Sequence, residues 1–451
     1  MASLNQKAVN RKRTHEGAMA APTNAEQELR RSVMACLLWE DGFYESGIEV
    51  GARITALAHQ CKPSFVGNLA IEARQIHYLR HVPLLLVCAL AGHPIKSRYA
   101  HVITDVIQRP DELTELVSMY WKLRGGKRPL PAQMKKGLAK AFTKFDAYQL
   151  AKYNRDNEVK LRDVMFMVHP KPKDEKQAIT FSLLAENRLT APDTWEVALS
   201  GGADKAETFT RLLQDKKLGY MALLRNLRNM REAGVSRSLI QQRLLEGAPR
   251  SKTLPFRFIS AARAVPQYEP FLDQAMQLST DELPKLKGKT LLLLDHSGSM
   301  NFPLSRKSDL SRRDAAAGLA ILLAGICEEL EAFSFSGSFY GMQHGRNLIA
   351  PVPHRKGMAM ADAYAKSMPN WGGTQLGKAL QITDDGNYDR LIVLTDEQSH
   401  DHVPNPKGRG YMINVATNRY GVGYKPWIHI DGFSEAIVKW IQAYESESID
   451  D

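Results

Sequence analysis

Apolar residues recur at three- and four-residue steps through most of residues 25–280, the pattern of helices that bury one face. The spacing predicts helices over Glu26–Leu38, Ile48–Gln60, His81–Ala91, Tyr99–Ile107, Pro131–Phe145, Tyr220–Glu232 and Leu254–Val265. Breakers separate them, as in Arg109-Pro110-Asp111, Gly125-Gly126 and Ala191-Pro192-Asp193, because Pro and Gly bound helices more readily than they continue them. No segment of this stretch alternates convincingly as a half-buried strand would. Many short helices in series predict an α-solenoid of paired helices. No strict period runs through the sequence, so such repeats are degenerate.

The pattern changes near Leu283-Pro284-Lys285, which reads as a linker. Lys289–Asp295 (KTLLLLD) is apolar on both faces, as a central parallel strand covered by helices on each side must be. A helix over Ser311–Leu330 follows, then a strand at Ala332–Ser336 and a helix starting at Thr374. Strands at Arg390–Thr395 and Tyr411–Ala416 and a closing helix over Phe433–Tyr444 complete the series. Alternating strand and helix predict a doubly wound α/β domain, whose ligands bind at the carboxyl ends of the strands. The expected organisation is a basic disordered arm (1–24), a helical-repeat region (25–284) and an α/β domain (285–451).

Composition adds a constraint on partners. The 451 residues are 44% hydrophobic and 24% charged, ordinary for a soluble globular chain. No apolar run approaches the ~18 residues of a membrane span, and the first residues lack the apolar core of a secretory signal. Four cysteines (Cys36, Cys61, Cys88, Cys327) lie far apart, which suits a reducing cytoplasm and argues against a disulfide framework or a zinc site. Net charge is +11 and unevenly spread. From Leu286 onward there are 17 Lys and Arg against 19 Asp and Glu, whereas the preceding residues carry 43 against 30. The excess positive charge sits with the helices, where it points to a polyanionic partner.

The loop Asp295-His-Ser-Gly-Ser-Met300 follows the buried strand directly. Asp295, Ser297 and Ser299 alternate, so one carboxylate and two hydroxyls can face one hard cation. Thr374 in the WGGT loop and Asp396 after the second strand are further oxygen donors at strand or helix edges. Oxygen-only ligands with few charges suit Mg²⁺. This D-x-S-x-S, Thr, Asp set resembles the metal-ion-dependent adhesion site of von Willebrand factor A domains. The resemblance covers roughly Lys285–Ile449 and implies a Mg²⁺ site of these five residues, with an open position for a partner's carboxylate. Two other motifs carry less. Gly288-Lys289-Thr290 lacks the upstream glycine of a phosphate loop and opens a strand. His400-Asp401-His402 reads as a solvated loop.

From Trp121 to Phe145 the chain has eight basic residues and no acidic one. On the helix started by Pro131, Lys136, Lys140 and Lys144 recur every four residues off the apolar stripe. Like charges so spaced repel by a few tenths of a kcal/mol per pair, a cost that a bound anion removes. The stretches Lys152–Lys173, Met221–Met230 and Leu254–Val265 resemble the TROVE domain of Ro autoantigens and telomerase-associated proteins. A TROVE region followed by a von Willebrand A domain is the Ro layout. The resemblance implies a ring of HEAT-like helical repeats closed by the A domain. It also implies binding of small noncoding Y RNAs on the ring's outer surface and of single-stranded ends of misfolded RNAs in its hole. RNA quality control and, in bacteria, work with exoribonucleases go with these. Lys152 and His169 match positions that contact Y RNA in the family. Between them the family carries a basic residue where this chain has Asp156, with Arg155 beside it. Arg225 and Arg228 lie off the apolar stripe of Met221, Leu224 and Leu227 and are further RNA candidates.

The sequence therefore reads as a cytoplasmic, monomeric RNA-binding protein rather than an enzyme. It shows no nucleophile–base pair, paired-carboxylate nuclease cluster or nucleotide loop. The alternative is a metal-dependent protein-capture module in which the A domain does the work and the helices are scaffold.

Overall fold

The computed structural model describes residues 13–14, 16–34, 47–251, 253, 255–281, 283, 285–304, 310–337, 348–369, 372–416, 420–424, 426–432 and 436–447. The helical region opens with α1 (Ala25–Met34) and α2 (Gly47–Gln60). It continues through α3 (Pro63–Gln75), α4 (His81–Ala91), α5 (Ala100–Val106) and α6 (Pro110–Leu123). Next come α7 (Ala132–Phe142), α8 (Ala147–Tyr153), α9 (Leu161–Val168) and α10 (Glu175–Ala185). Helices α11 (Trp195–Ser200), α12 (Lys205–Gln214), α13 (Tyr220–Glu232), α14 (Arg237–Gly247), α15 (Pro255–Ala264) and α16 (Glu269–Thr280) finish it. Short polar side chains start many of these helices. Asp146, Asp174, Asp204 and Ser236 each accept a backbone N–H from the first turn, satisfying a donor that has no partner inside the helix. Helices contact near neighbours in sequence, such as α3 with α4 and α5 with α7, which is how a solenoid buries faces that no single repeat could bury.

The α/β unit consists of β1 (Leu286–Asp295), α17 (Arg312–Ile326), β2 (Cys327–Phe335), β3 (Ile349–Pro351) and α18 (Met358–Ser367). It ends with α19 (Leu376–Thr383), β4 (Arg390–Thr395), β5 (Gly410–Asn414), β6 (Ile428–Asp431) and α20 (Ala436–Glu447). The described strands form one sheet in the order β3-β2-β1-β4-β5-β6, with only β3 antiparallel. This is a doubly wound sheet whose switch point lies between β1 and β4, where such sheets bind ligands. Both faces are buried, which explains the LLLL run. Leu292 and Leu294 pack into one core with α17 and α20, and Leu291 and Leu293 into another with α19.

Packing does not break at the expected linker. One core runs from Phe209 through α13–α16 into the sheet and α20, while α1–α10 build a separate core. Helices α15 and α16 pack on α17, and α1 packs against β6. Both ends of the solenoid therefore rest on the α/β unit, which closes the helices into a ring.

Three expectations change. The helix expected over Ser311–Leu330 stops at Ile326, and Cys327 opens β2 in register with β1. Strands β3 and β6 and helix α18 had no expected counterpart. Within the arm expected to be disordered, residues 13–14 and 16–24 have defined places. The Thr14 hydroxyl donates to the Ser399 carbonyl (2.9 Å), and Ala18 is buried against the α19 face of the sheet. The Ala21 N–H donates to the Gly421 carbonyl (2.9 Å). Beyond Met34, residues 35–38 of the first expected helix lie outside the described residues. No helix among the described residues is long and apolar enough to cross a membrane.

Candidate metal centre and nucleic-acid interface

Strand β1 ends at Asp295, which is fully buried. Its Oδ1 accepts the Ser297 N–H (2.9 Å) and its Oδ2 the Thr395 hydroxyl (2.5 Å) from the end of β4. The Asp295 carbonyl accepts the buried Tyr364 hydroxyl. These bonds hold the carboxylate at the switch point. Ser297 and Ser299 place their hydroxyl oxygens 3.1 Å apart. The Gly298 N–H donates to the Gly372 carbonyl (3.2 Å), tying the loop to the one that bears Thr374. Gly372 has φ +88°, a conformation that costs glycine little and other residues more. Thr374 is buried, and its N–H donates to His400 Nδ1 (3.0 Å).

Asp396 is buried as well and pairs with Arg312 at the start of α17 (2.8 Å). Burial first, and the neighbouring Asp396 charge second, push Asp295 well above the usual carboxylate range. Asp295, Ser297, Ser299 and Asp396 lie at or just past the carboxyl ends of β1 and β4, and the Gly298–Gly372 bond draws the loop that bears Thr374 alongside. Two carboxylates, three hydroxyls and one guanidinium form the set. Its donors are hard oxygens that fit a divalent cation, and two facing carboxylates are what such an ion stabilises. Arg312 had no sequence signal, since its partner lies 84 residues away.

The next residue, Glu397, belongs to a second cluster that the sequence did not suggest. Its Oε1 pairs with Arg31 of α1 (2.7 Å), and both side chains are almost wholly buried. His429 of β6 bonds Glu397 through Nε2, and its Nδ1 lies 3.3 Å from Asp431. Tyr424 stacks on His429 (3.9 Å between ring centres), and the Gly423 N–H donates to Glu397 Oε2 (2.8 Å). Burial opposes both charges but does not win. Arg31 and His429 hold Glu397 down at about 2, and the two carboxylates lift His429 to about 9. Gly421 lies against Arg31 and Glu397, where a Cβ would collide with both. This cluster is the clasp between the N-terminal helix and the α/β unit.

The expected RNA residues fall into two groups. Lys136 and Lys140 on α7, Lys152 on α8 and Arg155 just beyond it are exposed on neighbouring elements. None of the four pairs with a carboxylate among the described residues. Asp156, the acidic departure, is engaged by Lys160 four residues on (2.5 Å), which leaves Arg155 and Lys152 uncompensated. His169 is exposed and ends α9 in the left-handed conformation (φ +48°). Lys144 differs from its neighbours. Its ammonium donates to the Thr104 (2.9 Å) and Ile107 (2.6 Å) carbonyls at the end of α5, and burial lowers its pKa. That is a helix-capping role, which α7's spacing could not reveal. Arg225 and Arg228 are exposed on α13, away from the α7–α9 group. The discounted motifs are structural. Gly288-Lys289-Thr290 lies within β1, and Asp401 accepts the Gly377 (3.0 Å) and Lys378 (2.8 Å) N–H groups at the start of α19.

Comparison with known proteins fits this architecture. The TROVE domain family model matches residues 23–188 and 183–315, well over half of the chain and extending past the expected boundary into the start of α17. Telomerase protein component 1 of Mus musculus is 25% identical over 356 residues, covering 58% of this chain and 13% of that protein. Its Rattus norvegicus counterpart is 24% identical over the same shares. The match thus spans only a small part of these much longer relatives. The crystal structure of the Deinococcus radiodurans RO (RSR) protein superposes with a TM-score of 0.61 at 17% identity, covering 93% of this chain and 99% of that one. The fold is shared across nearly the full length of both. On the family match, this chain is a member of the TROVE-domain family.

Proposed function

We propose that this protein is a Ro-like RNA-binding ring and not an enzyme. In this reading it holds small noncoding, Y-like RNAs and single-stranded ends of structured or misfolded RNAs, and acts in RNA quality control. The observation that carries the reading is the exposed basic group Lys136, Lys140, Lys152 and Arg155, unpaired among the described residues, on a TROVE chain. Phosphate contacts dominate affinity for RNA, and unpaired basic side chains make them without first breaking an ion pair. A ring admits a single strand where a duplex does not fit, so an RNA end is its natural ligand.

The α/β unit adds a Mg²⁺ site of the von Willebrand A type, held by Asp295, Ser297, Ser299, Thr374 and Asp396. The ion would offer a coordination position to a carboxylate of a protein partner, for example an exoribonuclease. Arg312 shares Asp396 and tunes how much charge that position carries.

The test is a filter-binding titration at several salt concentrations, using a structured RNA with and without a single-stranded tail. The tailed RNA binds more tightly. Replacing Lys136, Lys140 and Lys152 together by Ala lowers the log–log salt slope by up to about 2, at roughly 0.7 per lost single-strand phosphate contact. Equal binding of both RNAs refutes end recognition. A wild-type slope in the triple variant removes this surface from the RNA site. Mg²⁺-dependent capture of protein without RNA affinity would favour the protein-interaction alternative.

A further inference from the structure

Helix α9 turns Leu161, Val164, Met165 and Val168 into the core. Phe166 is left out of that stripe and is 51% exposed. Positions three and four apart share one face of a helix, so Phe166 stands with Arg162 and His169 on the outer side of α9. Neither of these two pairs with a carboxylate among the described residues. The one carboxylate of the helix is committed elsewhere, since Asp163 Oδ2 accepts the Lys160 N–H at the helix start (3.1 Å).

Helix α9 lies beside α7, and both are backed by α6. Their free faces therefore look out the same way. Helix α7 has no acidic residue, and its free face carries the exposed Lys136 and Lys140. Packed helices lie about 8–10 Å apart, so the lysine stripe and the phenyl ring belong to one surface. A lone exposed apolar residue needs no explanation. A phenyl ring bordered by basic side chains that no carboxylate neutralises does. An apolar protein surface laid on it would bury those charges as well, at a desolvation cost. A nucleic-acid strand supplies both partners at once, a flat base for the ring and phosphates for the charges.

We propose that Phe166 is a stacking platform for one unpaired nucleotide, whose flanking phosphates are held by Lys136 and Lys140 from α7 and by Arg162 from α9. The platform rests on the RNA-binding reading and narrows it. Bases within a duplex hide their faces in the stack, so this surface takes a loop, a bulge or an end and not a stem. It discriminates little among the four bases, because each has a π-face.

The test measures binding of the full chain to short labelled oligo-U and oligo-C and to a fully paired RNA duplex, by anisotropy at several salt concentrations. Phe166→Ala should weaken both oligonucleotides by roughly 5- to 150-fold, the worth of one base–aromatic stack. It should leave duplex binding and the salt slope unchanged, because a stack carries no charge. Phe166→Leu keeps apolar bulk without a ring and should behave like Ala, whereas Phe166→Trp should bind at least as tightly as wild type. Half of the ring is already in water, so these variants leave the fold intact. Lys136→Ala/Lys140→Ala should instead lower the salt slope by up to about 1.4. Wild-type affinity in Phe166→Ala or Phe166→Leu overturns the platform, and so does an equal loss on the duplex. Unchanged RNA affinity with altered self-association of Phe166→Ala in sedimentation also overturns it and assigns the ring to a protein contact. In each of these outcomes wild type still binds RNA and only the platform fails. If wild type binds no RNA, the RNA reading fails and the platform falls with it.

Discussion

Replacing Arg31 by Met removes the charge from the ring clasp while keeping most of the side chain's length. Arg31 and Glu397 are 1% and 0% exposed, so water cannot take over when the guanidinium goes. Removing one partner of a buried pair costs about 3–5 kcal/mol, because the other charge is left buried. His429 and the Gly423 N–H stay on Glu397, which places the expected loss near the lower end, about 3 kcal/mol. The loss is local. Helix α1 is held further by the Tyr424 hydroxyl, which donates to the Gln27 carbonyl (3.3 Å), and by the bond from Ala21 to Gly421. It should therefore detach from the α/β unit before the rest of the ring unfolds. At 1.4 kcal/mol per tenfold, amide protection along residues 25–34 falls by roughly two orders of magnitude. Hydrogen exchange read by mass spectrometry measures this directly, with the sheet as internal control. The double variant Arg31→Met/Glu397→Gln should recover much of the loss, since it leaves no buried carboxylate without its partner while the amide oxygen can still accept the Gly423 N–H. Wild-type exchange of α1 in the single variant would refute the clasp. A double variant no better than the single would show that packing, not charge, holds the helix.

Other outcomes follow from the same geometry. Mg²⁺ at 100 times its dissociation constant should stabilise the wild-type α/β unit by about 2.7 kcal/mol; Asp295→Asn should lose that shift in a melting experiment, and a wild type indifferent to Mg²⁺ would defeat the site. Lys144→Ala should cost about 1 kcal/mol of stability by releasing the α5 carbonyls and leave the salt slope of RNA binding unchanged; a reduced slope would return Lys144 to the RNA surface. Burial pushes Glu115 of α6 from an ordinary 4.5 to about 7 in the folded state, so the native chain holds a proton there that the unfolded chain has already released. Its contribution to stability is therefore lost as pH rises from about 4.5 to 7. Denaturant titrations across that window should show wild type losing stability relative to Glu115→Gln, and parallel curves would count against the shift.

Much of this was legible in the sequence because it depends on short-range pattern. The Leu291–Leu294 run can only be a strand buried on both faces, and the donors that follow it must then lie at its carboxyl end. The three- and four-residue spacing along Tyr220–Glu232 predicts a helix with the bounds observed. The break between Ile326 and Cys327 was not legible. Cys327–Leu330 is acidic and half-exposed, so it reads as the last turn of a helix until pairing with β1 extends it. Strand β6 has four residues, too few for a periodicity, and its His429 and Asp431 look like loop polars.

The sequence by itself determined the classes of element, the switch point of the sheet and the chemical kind of donor gathered there, because these follow from which residues avoid water over a few turns or one strand. It also determined that the helical part carries the excess positive charge. Tertiary structure alone decided which of those charges remain free. Arg31 reads as the polar face of an amphipathic helix, yet it is buried on a glutamate 366 residues away. Arg312 reads as a helix start, yet it shares Asp396 of the candidate metal centre. Lys144 has the same spacing as Lys136 and Lys140, yet α5 takes its ammonium. A charge is spent or free according to what chain closure brings within a few ångströms of it, and spacing along one helix carries no information about that distance.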